Sequence, residues 1–229
     1  MSLTRDGIAY RVACDLLEGS YVNLGIGIPT LVSGHIPAGR EIFFHSENGI
    51  LGMGALAEPG HEDPDLINAG KQYVTLNPGA SFFDHPTSFG MMRGGHIDCA
   101  VMGALEVAAN GDLANWRTPG DKVPGVGGAM DLASGVRNIL ITMTHMTNQR
   151  KPKIRNKCML PLTAPRCVKR IYTDMALIDV TPDGLVLREF APGLDPQAVQ
   201  SYTEAPLRIA ADCKEMDVPA EFHAAQPAQ

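Results

Sequence analysis

The chain carries no surplus of positive charge. Nineteen Lys and Arg stand against twenty-five Asp and Glu, a formal net charge of -6, and no basic stripe offers itself to a nucleic acid. No Cys-x-x-Cys occurs, and the five cysteines, Cys14, Cys99, Cys158, Cys167 and Cys213, are odd in number and scattered. That excludes a zinc ribbon or a disulfide framework and suits a reducing compartment. No stretch approaches the roughly 20 apolar residues of a membrane span. The segment Met1–Asp6 lacks the apolar core of a signal peptide. A cytoplasmic location, away from membranes, is therefore expected. His-Glu-x-x-His is absent, and His61-Glu62-Asp63 has no partner histidine at helical spacing, so no metal is expected. The seven histidines are dispersed and give a Ser/His/Asp triad no support, although triads assemble in space.

What is present is ordinary for a globular protein: 229 residues, 45% hydrophobic and 19% charged. That length supports one sizeable α/β domain, expected over residues 1–218, with 219–229 as a flexible tail. Thr4 can cap a first helix whose stripe Ile8, Ala9, Val12, Ala13, Leu16, Leu17 ends at Gly19. Strands are predicted at Tyr21–Leu24, Glu41–His45, Gln72–Leu76, Cys99–Gly103 and Ile139–Met143, and a short helix through Leu31 and Val32. Thr87 can cap another helix, closed by Gly94-Gly95, and Asn110-Gly111-Asp112 reads as a turn. Ala176–Val180 and Leu185–Glu189 read as a hairpin about Pro182-Asp183-Gly184. Asp195-Pro196 opens a late helix. Alternation of helices and strands points to an open, mostly parallel sheet flanked by helices.

Three segments carry candidate chemistry. In Ser46-Glu47-Asn48-Gly49-Ile50-Leu51-Gly52, a carboxylate follows the apolar run Ile42-Phe43-Phe44 and precedes glycines, the pattern with which a parallel sheet presents a group to a ligand. A glutamate, with a reference pKa of about 4.3, is ionised at neutral pH and needs no base to act as a nucleophile. Glu47 is accordingly the candidate covalent catalyst, and Ile50, Leu51 and Met53 are expected to shield it. In Asn23-Leu24-Gly25-Ile26-Gly27-Ile28-Pro29, two glycines after a strand let backbone N–H groups approach a ligand, or simply make a tight turn. It is not a dinucleotide fingerprint, because Thr30 replaces the third glycine. The run Gly125-Val126-Gly127-Gly128-Ala129-Met130-Asp131 precedes a helical segment and exposes N–H donors suited to an oxyanion, or is a plain loop. Arg93 is a structural residue or a clamp for a carboxylate, and the basic run from Arg150 to Lys157 is a solvated loop or faces an anionic cofactor or partner.

Taken together, the chain resembles the beta subunits of the family I, 3-oxoacid coenzyme A transferases from about Thr4 to Leu207. The markers are Asn23–Pro29, Ser46–Gly49, Gly79–Phe83, Gly111–Trp116, Gly127–Asp131 and Cys158–Thr163, six in order. The resemblance implies the open α/β fold shared with sugar-phosphate isomerases. It implies that Glu47 attacks an acyl-CoA thioester and that Gly128 donates its N–H to the oxyanion. Asn23, Gly25 and Gly27, with Asn48 and Gly127, are implied to lie by the substrate. The expected reaction is transfer of coenzyme A from an acyl-CoA such as succinyl-CoA to a 3-oxoacid, with coenzyme A as substrate and no permanent cofactor. A homologous alpha subunit is expected as partner in a hetero-oligomer. A thioester hydrolase and a non-catalytic acyl-CoA or sugar-phosphate sensor are the alternatives. One departure from the family pattern is Thr144, in Met143-Thr144-His145-Met146, where many relatives carry a glutamate.

Overall fold

The computed structural model describes residues 2–120 and 125–224. Thr4 caps α1 (Arg5–Asp15), its hydroxyl accepting from the Gly7 N–H at 3.1 Å. The strands are β1 (Tyr21–Leu24), β2 (Phe43–Ser46), β3 (Ile50–Leu56), β4 (Val74–Phe82), β5 (Cys99–Gly103), β6 (Glu106–Ala108), β7 (Leu113–Ala114), β8 (Asn138–Met143), β9 (Ile154–Arg155), β10 (Val168–Thr173), β11 (Ala176–Thr181), β12 (Gly184–Phe190) and β13 (Leu207–Glu215). The further helices are α2 (Ile28–Leu31), α3 (His85–Arg93), α4 (Ala129–Gly135) and α5 (Pro196–Ser201). No described helix is long and apolar enough to cross a membrane.

Ten strands form one sheet in the order β13-β12-β11-β10-β8-β5-β1-β2-β3-β4, and β7-β6-β9 form a small second one. The centre of the large sheet, β2-β1-β5-β8-β10, is parallel throughout. Its two faces are sorted by the alternation of side chains along each strand. Val22, Leu24, Phe44 and Val101 pack with Ile8, Ala9 and Val12 of α1. Ala100, Met102, Ile139 and Ile141 pack on the other face with Met92 of α3 and Leu132 of α4. Asn23 is in register with both His45 and Ala100, so it and His45 belong to this second face. Two polar residues in a row otherwise apolar mark where the sheet does something besides pack.

Several elements differ from expectation. Asp84, not Thr87, caps α3: its carboxylate accepts from the Thr87 N–H at 2.9 Å, and a carboxylate at this end also favours the helix dipole. The strand expected at Gln72–Leu76 runs on to Phe82 as the edge strand β4, because Pro78 and Gly79 are tolerated at an edge. The apolar Ile50 and Met53 do not shield Glu47; they belong to β3, and at 4% and 1% exposure they fill the core beside α1. The basic run is more than a solvated loop, since Ile154–Arg155 forms β9 and Arg155 pairs with Glu106 and Glu204, each at 3.0 Å. Part of the expected flexible tail is docked. Thr4 N–H donates to Phe222 O, Ala224 N–H donates to Ser2 O, both at 2.8 Å, and the Phe222 ring lies 5.0 Å from that of Tyr10. Residues 225–229 of that tail lie outside the described residues. The hairpin about Pro182-Asp183-Gly184 forms as β11 and β12.

Candidate active site

The carboxyl ends of β1, β2 and β5 meet at one edge of the sheet, the place where open α/β sheets bind ligands. Ser46 pairs with Ile50, which leaves Glu47-Asn48-Gly49 as a three-residue hairpin loop between β2 and β3. The glycine-rich turn is therefore a hairpin and not a strand-to-helix crossover. Gly49 has φ of 116°, and a side chain on it would run into Phe83 O, so only glycine closes this loop. Ser46 Oγ accepts from the Ala69 N–H at 2.9 Å, and Asn48 Nδ2 donates to Ile67 O at 2.7 Å. The excursion between β3 and β4 thus folds back and braces the loop.

Glu47 lines a cavity of about 540 Å³ together with Asn23, Gly25, Gly127 and Gly128. Leu24, Met102, Leu105, Trp116 and Leu132 supply apolar wall. Among the described lining residues Glu47 is the single charged side chain, and no described residue donates a hydrogen bond to it. Burial raises its carboxyl above the ordinary glutamate range; the neighbouring His85 pulls it down and Asp131 pushes it up again. Such a carboxylate is partly desolvated and has no hydrogen-bond donor among the described residues.

Gly128 is the N-cap of α4, and the Cβ of any other residue there would overlap Glu47 Oε2 and lie 3.2 Å from Phe89 Cζ. The backbone at Gly128 therefore abuts the carboxylate as no other residue allows. Elsewhere in the lining, Asn115 Nδ2 donates to Gly103 O at 3.1 Å, Thr163 donates to Asn115 Oδ1 at 2.6 Å, and Trp116 Nε1 donates to Leu162 O at 3.2 Å. Behind them Glu106 accepts from the Met159 and Leu160 N–H groups at 2.7 and 3.0 Å. The segments Gly111–Trp116 and Cys158–Thr163, far apart in sequence, are thereby one wall.

A coenzyme A transferase model matches residues 5–201. The chain belongs to the coenzyme A transferase family. It is 53% identical over 206 residues to one of the subunits of the 3-oxoadipate CoA-transferase of Acinetobacter baylyi, covering 90% of this chain and 95% of that one. It is 45% identical to one of the subunits of the succinyl-CoA:3-ketoacid coenzyme A transferase of Helicobacter pylori, covering 90% and 99%. Among solved structures, the acyl-CoA transferase YdiF apoenzyme of Escherichia coli O157:H7 superposes with a TM-score of 0.73 at 20% identity. That match covers 99% of this chain and 46% of the other, so the chain spans about half of that longer polypeptide, and at such identity the likeness speaks for the fold.

In this coenzyme A transferase the sequence candidates separate. Glu47, Asn23, Gly25, Gly127 and Gly128 share the cavity. Gly27 and Asn48 do not line it: Gly27 is the N-cap of α2 with φ of 95°, and Asn48 is turned to Ile67. Arg93 pairs with Asp131 at 2.7 Å and lies over the Phe89 ring, which commits it to α3–α4 packing. His61, Glu62 and Asp63 are exposed, and no group of metal-ligating side chains forms among the described residues. Thr144 is exposed just beyond β8 and donates to Met146 O at 2.9 Å. Sequence reasoning missed His45, which is wholly buried under α3 beside Asn23; its one signal was a polar residue ending an apolar strand.

Proposed function

We propose that Glu47 carries coenzyme A between two acids by a ping-pong route, and that the acceptor is a 3-oxoacid with succinyl-CoA as donor. The Glu47 carboxylate forms a C–O bond to the acyl carbonyl as the C–S bond breaks, giving a mixed anhydride and coenzyme A thiolate. The thiolate then forms a C–S bond to the glutamyl carbonyl as its C–O bond to the donor acyl group breaks, releasing the donor acid. The acceptor acid runs the same steps in reverse. Carboxylate and thiolate react as they stand, so the protein supplies geometry, oxyanion donors and exclusion of water.

The observation that carries this reading is the half-buried Glu47 carboxylate, without a hydrogen-bond donor among the described residues, facing a largely apolar cavity with the Gly128 backbone against it. The names of the relatives, 3-oxoadipate and succinyl-CoA:3-ketoacid transferases, support the acceptor and donor classes. Those relatives are each named as one subunit of an enzyme, which supports a homologous alpha subunit as the partner of this chain. All five cysteines are free thiols, which a reducing cytoplasm would preserve. The test is incubation of the assembled two-subunit enzyme with succinyl-CoA and no acceptor. A coenzyme A adduct on the peptide holding Glu47 is expected. An unmodified peptide from active enzyme refutes the covalent route, and steady loss of thioester without an acceptor identifies a hydrolase instead.

A further inference from the structure

Beneath the Glu47 loop lies a buried chain of three polar side chains. Asn23, His45 and Ser88 are 1%, 0% and 0% exposed, and come from β1, β2 and α3. Asn23 Nδ2 lies 2.9 Å from His45 Nδ1 and 3.3 Å from His45 O, and His45 Nε2 lies 3.1 Å from Ser88 Oγ. Phe83 stacks on the imidazole at 5.9 Å between ring centres.

These contacts determine which way the Asn23 amide faces. A backbone carbonyl only accepts, so the end of the amide beside His45 O must be the NH2 group. That group then donates to Nδ1 as well, which makes Nδ1 the unprotonated nitrogen and leaves Nε2–H to donate to Ser88. Burial holds the imidazole neutral, lowering its pKa to about 4. With both donors of Asn23 directed to His45, its Oδ1 accepts from no described residue, and Asn23 lines the same cavity as Glu47. What Asn23 has left to offer the cavity is thus an acceptor and not a donor.

We propose that His45 is a positioning residue, which holds the Asn23 amide so that Oδ1 accepts the amide N–H that the coenzyme A arm carries close to its sulfur. This rests on the coenzyme A transfer proposed above. An oxygen acceptor in the cavity that Glu47 lines repels a bare carboxylate and attracts an N–H, so it distinguishes the thioester arm from the free acid. The acid needs no such contact, and its handling is independent of His45.

The test uses the assembled two-subunit enzyme. His45→Leu removes the acceptor at Nδ1 and frees the amide to turn. The KM for succinyl-CoA should rise about tenfold, the scale of one oriented hydrogen bond, while the KM for the acceptor acid stays put. His45→Asn places an oxygen close to the position of Nδ1 and should restore most of the loss. An unchanged KM in the Leu variant, equal rises for both substrates, or an Asn variant as impaired as Leu overturns the proposal. Should the Leu variant not fold, nitrogen-15 spectra of the unmodified chain decide: protonated Nε2 with bare Nδ1 supports it, and the reverse tautomer overturns it. Should the unmodified complex show no exchange, the transfer reading fails by itself, and the Kd of coenzyme A for the same variants, raised in Leu and recovered in Asn or else unchanged, judges His45.

Discussion

Gly128→Ala is the sharpest perturbation the site offers. The backbone there, with φ of -72° and ψ of -4°, admits an alanine without strain. The space does not: the new methyl would occupy the position of Glu47 Oε2, with Phe89 Cζ 3.2 Å away on the other side. Either the carboxylate or the start of α4 must retreat by roughly 1 Å or more, a displacement that costs about 10²-fold in rate, or some 2.7 kcal/mol of barrier. Stability should change far less. Alanine in place of glycine at an N-cap costs on the order of 1 kcal/mol at most, and the α4 hydrogen bond from Leu132 N–H to Gly128 O survives. The assay is exchange between acid and acyl-CoA by the assembled complex, with thermal unfolding in parallel. The expected outcome is a kcat reduced about a hundredfold with little change in unfolding temperature. A variant that exchanges at the unmodified rate, or one that loses activity only because it unfolds, refutes the claim that the backbone at Gly128 is closed against the carboxylate.

Other outcomes follow from the same geometry. Glu47→Gln should abolish exchange and also stabilise the chain near neutral pH. The folded carboxyl is raised by burial, so its contribution is present at acid pH and lost as pH rises through the folded value, and the difference between unmodified and Gln chains should vanish below about pH 4, near the unfolded pKa. His45 and His145 have the opposite sign. Burial lowers both to about 4, so their stabilisation is complete above the unfolded pKa and lost as pH falls toward the folded one. Unfolding free energy should therefore drop between about pH 6.5 and 4 by up to about 1.4 kcal/mol per unit for each histidine, and chains lacking one should show a shallower slope. Gly49→Ala should lower stability by about 1–3 kcal/mol, through its positive φ and the clash with Phe83 O, read by denaturant unfolding. Glu106→Ala strips the Met159 and Leu160 N–H groups of their acceptor and should cost about 1–3 kcal/mol while altering Trp116 fluorescence, since the loop it anchors holds the indole; an unchanged emission contradicts that link.

Local chemistry in the sequence determined a good deal. The Thr4 cap, the strands at Tyr21–Leu24 and Cys99–Gly103, and the hairpin about Pro182-Asp183-Gly184 depend on short-range periodicity and turn preference, and they formed where those signals placed them. Glu47 stood out because a lone carboxylate between an apolar strand and glycines is a local pattern. Long-range pairing decided the rest. Whether the chain after Gly49 turns into a helix or returns as β3 depends on β4 and Phe83, some thirty residues away, and that return took Ile50 and Met53 into the core instead of over the carboxylate. The wall joining Asn115 to Thr163 and the buried line Asn23–His45–Ser88 likewise exist only once sheet register and helix docking bring distant residues within hydrogen-bond reach. A hydrogen bond has a range of about 3 Å and no dependence on sequence separation, so a one-dimensional pattern names candidates while packing selects partners.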